Sequence, residues 1–126
     1  MKKIGLAFAL IVSSIVIIGC SGNTIELIAP DAYISQFVEA ESEHLLIDVR
    51  TPAEYASGHI AGSINIPVDE IANRLAEIPT DMPVVVYCQS GNRSGRAASI
   101  LMTNDYNQVY DLGGIARWRS AGYPIE

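Results

Sequence analysis

The chain has 126 residues, the size of one domain, and its 17% charged and 7% aromatic residues argue against intrinsic disorder. Its net charge is −6, and its lysines are Lys2 and Lys3, so the remainder of the chain sets six arginines against fourteen acidic residues. A lysine-free, acidic domain excludes Schiff-base catalysis and disfavours nucleic acid as a partner.

The N-terminus has the pattern of an export signal. After Lys2 and Lys3, residues 4–18 carry no charge and are mostly apolar. As a helix, this run spans roughly 22 Å, short of the ~30 Å hydrocarbon core of a bilayer. A signal peptide is therefore favoured over a membrane span.

The end of this run, Ile17-Ile18-Gly19-Cys20, resembles the lipobox of bacterial lipoproteins. The resemblance implies cleavage before Cys20 and lipid attachment to its thiol, with the acyl chains anchoring the protein in the membrane. We predict a signal peptide over residues 1–19, a lipidated cysteine and tether over 20–24, and one domain over 25–126. The expected location is the bacterial cell envelope, on the periplasmic side in a Gram-negative host. The alternative is an ordinary secretory signal with a chance cysteine.

Short apolar runs alternate with helical patterns along the rest of the chain. Strands are expected at residues 26–29, 45–47, 64–66, 83–87 and 109–110. Helices are expected from residue 31 and over residues 52–57, 69–78, 96–102 and 115–120. This alternation predicts an α/β domain with a mostly parallel sheet. We expect the protein to be a monomer.

Two of these helices begin with capping signals. Asp31 is the expected N-cap of the first helix. Its apolar face is expected to consist of Tyr33, Ile34, Phe37 and Val38. The second helix has Thr51 as N-cap, Pro52 at the first helical position and Glu54 three residues after the cap, which is the pattern of a capping box. Arg50 and Glu54 are also spaced for a local ion pair.

Cys88 follows the most apolar predicted strand and precedes a glycine-containing turn and a helix. Functional sites of parallel sheets lie at the carboxyl ends of the strands. Gly91 permits a positive φ and Ser94 is a candidate helix cap, so the turn can point its N–H groups at an anion. Because Arg93 and Arg96 add positive charge, we expect a thiol held there to be substantially ionised at neutral pH. The alternative is that Cys88 is a small buried apolar residue.

Three blocks of sequence resemble the single-domain rhodaneses, a family of sulfurtransferases, over nearly all of residues 25–126. The blocks are residues 46–50 with Glu54-Tyr55 and residues 58–67, then the loop Cys88-Gln89-Ser90-Gly91-Asn92-Arg93-Ser94, and finally residues 112–118 with Gly122-Tyr123-Pro124. The resemblance implies the rhodanese-like fold, in which a central, mostly parallel sheet is flanked by helices on both faces.

In that family, a cysteine thiolate takes the outer, sulfane sulfur of a donor such as thiosulfate and passes it to cyanide or a thiol. The resemblance implies that Cys88 is the catalytic nucleophile, with a small sulfur-containing donor and a thiol or cyanide acceptor as partners and no metal or organic cofactor. The implied substrate-binding residues are Gln89, Ser90, Gly91, Asn92, Arg93 and Ser94. Asp48 and Arg50 are expected to support the site from a neighbouring strand.

Three further side chains have expected roles. Arg93 either binds the sulfonate oxygens of thiosulfate or braces the loop. His59 is expected to be a hydrogen-bonded structural residue, and Trp118 a core residue. Neither the two histidines nor Cys88 has the spacing of a set of metal ligands.

Alternative activities remain open, because the same fold hosts phosphatases and arsenate reductases. In those relatives five residues separate the cysteine from the arginine, whereas here four do, Gln89 to Asn92, which favours a sulfur atom over a tetrahedral oxyanion. Mercaptopyruvate sulfurtransferases carry a Cys-Gly-Ser-Gly-Val-type loop, from which Gln89 and Asn92-Arg93 depart, so thiosulfate-like or polysulfide donors are favoured. The remaining alternative is a membrane-tethered sulfur carrier or thiol-redox binding module with little turnover.

Overall fold

The computed structural model of the protein describes residues 23–126, which contain a five-stranded parallel sheet. The strands are Glu26–Leu27 (β1), Leu45–Asp48 (β2), Ile64–Asn65 (β3), Val84–Cys88 (β4) and Val109–Gly114 (β5). They lie in the order β1-β5-β4-β2-β3, and each pair of neighbours is parallel. The predicted parallel sheet is confirmed.

Helices cover both faces of this sheet. The α-helices are Pro30–Tyr33 (α1), Pro52–Ala56 (α2), Asn92–Thr103 (α3) and Ile115–Ser120 (α4). Ile34–Glu39 continues α1 as a π-helix, and Val68–Asn73 and Leu75–Glu77 are short 3₁₀ segments. Helix α3 and the 3₁₀ segments pack on one face, whereas α1, its π-helical continuation and α4 pack on the other. This is the predicted α/β architecture.

The predicted signal peptide and Cys20 lie outside the described residues. Of the predicted tether, Asn23 and Thr24 are described, and they lead into β1 at the amino end of the sheet. Within residues 23–126, no helix has the length and apolar character needed to cross a membrane.

The buried strand β4 fixes the direction of the Cys88 side chain. All five of its residues are buried. Val84, Val86 and Cys88 pack in the core beneath α3, whereas Val85 and Tyr87 pack on the opposite face. Because successive side chains of a strand point to opposite faces, the thiol of Cys88 lies on the α3 side of the sheet.

The first helix is capped two residues earlier than predicted. Its N-cap is Ala29 and its first residue is Pro30, so the prediction that Asp31 caps it is wrong. Proline suits the first helical position because its φ is already helical and no N–H is needed there. Val38, placed on the predicted apolar face, is 48% exposed. The π-helical winding of Ile34–Glu39 accounts for this, since 3.6-residue spacing does not apply there.

The α-helix predicted over residues 69–78 is wrong in type, because this stretch forms the two 3₁₀ segments. The buried residues Val68 and Ile71 are three apart, which is the repeat of a 3₁₀ helix. The segments are separated at Arg74, whose φ of −123° is not helical.

Two elements beside Cys88 are longer than predicted. Helix α3 begins at Asn92 rather than at residue 96, and β5 extends to Gly114 rather than ending at residue 110. The added residues other than Leu112 are polar or glycine, although Ser94 and Asp111 are buried. Hydrophobic periodicity therefore does not reveal them.

The predicted capping box of α2 is confirmed. Thr51 Oγ1 accepts a hydrogen bond from the Glu54 N–H at 3.2 Å, and the Glu54 carboxylate accepts one from the Thr51 N–H at 3.2 Å. Since α2 contains no buried residue, capping and polar contacts, rather than core packing, hold this helix in place.

Tyr87 of β4 links the sheet to the turn before β3. Its side chain is fully buried, and burial raises its pKa well above the usual value, so the hydroxyl stays neutral. The hydroxyl accepts a hydrogen bond from the Ile60 N–H at 3.0 Å and bonds Ser63 Oγ at 2.9 Å. The buried N–H of Ile60 therefore depends on this one side chain.

We expect Tyr87→Phe to lower the free energy of unfolding by about 1–3 kcal/mol, because it leaves the buried Ile60 N–H without its acceptor. Tyr123→Phe is the matched control, since the Tyr123 hydroxyl bonds Asp31 at the exposed surface. The Tyr123→Phe variant should lose no more than about 0.5 kcal/mol of unfolding free energy. Urea denaturation of the two variants measures the difference, and equal losses would contradict the assigned role of Tyr87.

Candidate active site

Cys88 ends β4 with its side chain fully buried beneath the turn that follows. The Gly91 N–H donates to Cys88 Sγ at 2.9 Å, and Ser94 Oγ lies 3.5 Å from the same sulfur. Ser94 Oγ in turn donates to the Gly91 carbonyl at 3.1 Å. The turn therefore places a backbone hydrogen-bond donor, the Gly91 N–H, directly against the Cys88 sulfur.

The turn has this shape because Gly91 adopts a φ of 104°, which side chains rarely allow. Gly91 is also the N-cap of α3, so the prediction that Ser94 caps this helix is wrong; Ser94 is its third residue and is buried. The first N–H groups of a helix lack intrahelical acceptors and carry the positive end of its dipole, so α3 presents both to the turn. The side chains of Gln89, Ser90 and Asn92 are exposed around it. Of the predicted loop residues, Gly91 and Ser94 contact the Cys88 sulfur, and substrate binding by the others stays a prediction.

Sequence reasoning missed the structural role of Gly114. Strand β5 pairs with β4 so that Gly114 lies opposite Cys88. A Cβ atom at Gly114 would lie 2.4 Å from the carbonyl oxygen of Gln89 and 2.9 Å from Ser90 Cα. Only glycine admits the loop this close to β5. The sequence feature that could have indicated this role is the Gly113-Gly114 pair. Its neighbour, the Cys88 loop, is known only once β5 is paired with β4.

Asp48 and Arg50 form a buried ion pair at the carboxyl end of β2, beside the Cys88 loop. Arg50 Nη2 donates to Asp48 Oδ2 at 2.6 Å and to the Gly58 carbonyl at 2.7 Å. Burial alone would lower the pKa of Arg50, but the hydrogen bond and charge of Asp48 raise it. Arg50 Nη1 also donates to Gln89 Oε1 at 3.4 Å. The ion pair therefore contacts the loop at Gln89, the residue that directly follows Cys88.

Arg93 pairs with Glu54 of α2, through Nη1–Oε1 at 2.7 Å and Nη2–Oε2 at 2.9 Å. The hydrogen bond from Arg93 lowers the pKa of Glu54 to about 2. The predicted Arg50–Glu54 ion pair is wrong, because Arg50 turns inward onto Asp48. The Arg93–Glu54 pair joins α3 to α2 across the loop, which corresponds to the bracing role. Sulfonate binding by Arg93 stays a prediction.

The remaining side chains named from the sequence have structural contacts. His59 Nδ1 lies 2.9 Å from the Tyr55 carbonyl oxygen, and the two rings stack with centroids 3.8 Å apart. Trp118 is 4% exposed and belongs to the core. Arg96, expected to add positive charge near Cys88, is exposed and pairs with Asp69, so its charge is compensated.

The chemistry available to the site comes from one sulfur atom. Among residues 23–126, Cys88 is the free cysteine, and no cluster of three or more His, Cys, Asp or Glu side chains is arranged to hold a metal ion. The hydrogen-bond partners of Cys88 Sγ belong to the loop and to the first turn of α3. The arrangement thus places hydrogen-bonding groups around a single sulfur atom.

Comparison with known proteins places this geometry in a family. Residues 31–121 match the family model of the rhodanese-like domain. A sulfurtransferase of Allochromatium vinosum is 44% identical over 93 residues, 73% of this chain and 87% of that protein. The thiosulfate sulfurtransferase GlpE of Pseudomonas aeruginosa is 36% identical over 105 residues, 82% of this chain and 92% of that protein. The crystal structure of a rhodanese-related protein from Thermoplasma volcanium has a TM-score of 0.70 at 34% identity, covering 80% of this chain and 97% of the other. The predicted fold is thus confirmed, and the chain belongs to the rhodanese-like domain family.

Proposed function

We propose that the protein is a sulfurtransferase that moves a sulfane sulfur from thiosulfate or a similar donor to a thiophilic acceptor, cyanide or a thiol, through a persulfide on Cys88. The observation that carries this proposal is the hydrogen bond from the Gly91 N–H to Cys88 Sγ. The proposal is also supported by relatives of this chain that are named sulfurtransferase and thiosulfate sulfurtransferase. The same donor serves both the attacking thiolate and the persulfide anion that follows it.

The reaction has two balanced halves. In the first, the Cys88 thiol loses its proton to solvent, and Sγ attacks the outer sulfur of thiosulfate. A bond forms between these two sulfurs, the S–S bond of thiosulfate breaks, and its electron pair leaves with sulfite. In the second, cyanide or a thiolate attacks the outer sulfur of the persulfide, and Cys88 leaves as the thiolate. This is covalent catalysis with ping-pong kinetics, and it needs no oxidant or reductant.

Ser94 is suited to both states of the sulfur. Its hydroxyl donates to the Gly91 carbonyl while it lies 3.5 Å from Cys88 Sγ. A hydroxyl can rotate, so the same O–H can donate to the sulfur once the sulfur is anionic. Asp48 and Arg50 act as positioning residues, because Arg50 donates to the side chain of Gln89 and Asp48 holds Arg50.

The size of the loop supports sulfur chemistry over phosphate or arsenate chemistry. Four residues separate Cys88 from Arg93, and the Gly91 N–H already lies 2.9 Å from Sγ. The short loop therefore folds onto the cysteine sulfur itself, and the outer sulfur is the one donor atom that has to reach it.

We further propose that the protein is a bacterial cell-envelope lipoprotein, anchored in the membrane through Cys20. The support is the uncharged run over residues 4–18 and the Gly19-Cys20 sequence that follows. Strand β1 begins at Glu26, at the amino end of the parallel sheet, whereas Cys88 lies at its carboxyl end. An anchor at Cys20 therefore joins the domain at the end opposite the loop, so the loop faces away from the membrane.

Cys88→Ser tests the proposed mechanism. Incubation with thiosulfate should add the mass of one sulfur atom to the wild-type protein, and cyanide should remove it. We expect Cys88→Ser to gain no sulfur and to lose turnover, because a serine hydroxyl in this loop has no adjacent base to ionise it. Intact-mass spectrometry and thiocyanate formation are the measurements, and Cys20→Ala, which keeps Cys88, is the matched control. Full activity in Cys88→Ser would overturn the mechanism.

Gly114→Ala tests the closeness of the loop to β5. The added methyl group would meet the Gln89 carbonyl oxygen at 2.4 Å, so the loop must move away from β5. We expect a loss of about 1–3 kcal/mol in the free energy of unfolding, and a fall of roughly tenfold in kcat/KM as the hydrogen bond to Cys88 Sγ is disturbed.

The control for this variant is Gly95→Ala, since a Cβ atom there lies at an ordinary 3.8 Å from Asp111 Oδ2. Alanine is favoured over glycine inside a helix, so this control should be neutral or more stable by up to about 1 kcal/mol. Urea denaturation and the thiosulfate–cyanide assay measure both variants. Wild-type values for Gly114→Ala would show that the loop does not need this contact.

Cys20→Ala tests the anchor. We expect it to abolish metabolic labelling with an alkyne fatty acid and to block lipoprotein processing, because the thiol is the proposed attachment point. Cys88→Ser, which keeps Cys20, should be labelled like the wild type. Unchanged labelling of Cys20→Ala would refute the anchor.

A further inference from the structure

The charged side chains around the Cys88 loop compensate one another. Arg50 is paired with Asp48, and Arg93 is paired with Glu54. Within residues 23–126, Asp111 on the adjacent strand has a backbone N–H rather than a guanidinium as its hydrogen-bond partner. The described side chains around the loop therefore offer a bound anion no net positive charge, which leaves the N–H groups of the loop and of α3.

This balance matters because thiosulfate carries two negative charges and must approach a thiolate. Such an approach is unfavourable unless a cation or several N–H groups offset the repulsion. Arg93 adjoins the loop and is 33% exposed, but both its terminal nitrogens are bound to Glu54, at 2.7 and 2.9 Å. A sulfonate group can therefore bind the guanidinium of Arg93 only in competition with the Glu54 carboxylate.

Glu54 is itself held in place. Its Oε1 accepts hydrogen bonds from the Thr51 N–H at 3.2 Å and from Thr51 Oγ1 at 3.0 Å. The hydrogen bond from Arg93 lowers the pKa of Glu54 to about 2, so the carboxylate is ionised throughout the neutral range. A bidentate guanidinium–carboxylate pair is also the strongest geometry for such a contact. Arg93 is thus withheld from the donor in a persistent way.

We propose that Glu54 sets the donor specificity of the Cys88 site by withholding Arg93, so that singly charged sulfane donors are used in preference to dianionic thiosulfate. The proposal rests on the sulfurtransferase function proposed above and narrows its donor class. That class comprises monoanions with a terminal sulfane sulfur, such as organic thiosulfonates and alkyl persulfides. Glu54 is a positioning residue, since it acts through Arg93 and does not contact the donor.

Two donors separate the effect of charge from other effects. Thiosulfate and methanethiosulfonate present the same outer sulfur on a tetrahedral sulfur atom, but a methyl group replaces one charged oxygen in the second. With either donor, a bond forms between Cys88 Sγ and the outer sulfur, and the donor S–S bond breaks. The electron pair leaves on sulfite or on methanesulfinate, and the Cys88 persulfide is the same product in both reactions.

The test is Glu54→Gln in the full chain, purified in detergent, with kcat/KM measured for both donors. Glutamine also completes a capping box with Thr51, so α2 is preserved. The interaction of residue 54 with Arg93 weakens, because glutamine carries no charge. We expect kcat/KM for thiosulfate to rise by about tenfold relative to that for methanethiosulfonate, the factor that corresponds to one charge-assisted hydrogen bond of about 1.4 kcal/mol. Adding Arg93→Ala to Glu54→Gln should return the ratio to the wild-type value.

Glu77→Gln is the matched control. Glu77 forms an equivalent two-point pair with Arg74, at 2.6 and 2.8 Å, in a 3₁₀ segment that precedes the amino end of β4. This variant removes the same charge far from the loop and leaves Arg74 with Glu70, 3.9 Å away, as its remaining partner, so the ratio of the two donors should not change.

The possible outcomes are distinct. An unchanged or lowered ratio in Glu54→Gln overturns the proposal, and so does an equal rise in Glu77→Gln, because the effect would then be one of overall charge. Failure of the wild-type protein to acquire sulfur from either donor overturns the sulfurtransferase function itself, and with it this proposal. Mass spectrometry of the loaded wild type tells that failure apart from an unchanged ratio.

Discussion

The hydrogen bond from the Gly91 N–H to Cys88 Sγ requires the chain to reverse direction directly after a buried strand, and the site is built around that reversal. Three independent features make the reversal possible. Gly91 supplies the positive φ, Gly114 leaves room for the Gln89 carbonyl, and alternation along β4 points the thiol toward α3. Because β4 is buried on both faces, the position of Cys88 is set by the core, and only the loop adapts to it.

The buried Asp48–Arg50 pair is better understood as a geometric device than as a source of stability. Two charges lose their water when such a pair is buried, and an apolar pair of similar size is often as stable. Its geometric role follows from the contacts of Arg50, which donates hydrogen bonds to the Gly58 carbonyl and to Gln89 as well as to Asp48. The end of β2 is thereby joined to the start of the loop, which follows the neighbouring strand. Removing either partner would leave an unpaired buried charge, so the two residues act as a unit.

The sequence predicted those features that depend on local chemistry. The run Val84–Cys88 is apolar and β-branched up to its last residues, and Thr51 with Glu54 has a capping pattern, so both were predictable from neighbours in the chain. The partner of Glu54 was not, because the spacing to Arg50 is correct for a helix but Arg50 lies outside one. The partner of Glu54 is instead Arg93, which the tertiary fold brings close to it.

Cross-strand information explains the other differences. The close approach at Gly114 depends on the register of β5 against β4, which is shifted by an irregularity at Val86–Tyr87. No periodicity within one strand can report that register. The early start of α3 at Asn92 was hidden for a related reason, since its first turn is polar and faces the loop. Functional residues thus escape patterns that are read from hydrophobic burial.

The acidic composition of the chain and the paired arginines of the site act in the same direction. With six arginines against fourteen acidic residues beyond position 3, the long-range field slows the approach of anions, and a dianion more than a monoanion. Salt screens this field beyond about 8 Å at physiological ionic strength, so the groups that decide donor binding are those next to the loop. There, Arg93 can brace α3 against α2 or bind an incoming sulfonate with its fork, but it cannot do both at once. In the structure Arg93 braces α3 against α2 through Glu54, and the donor favoured by the proposal above is one that needs no strong countercharge.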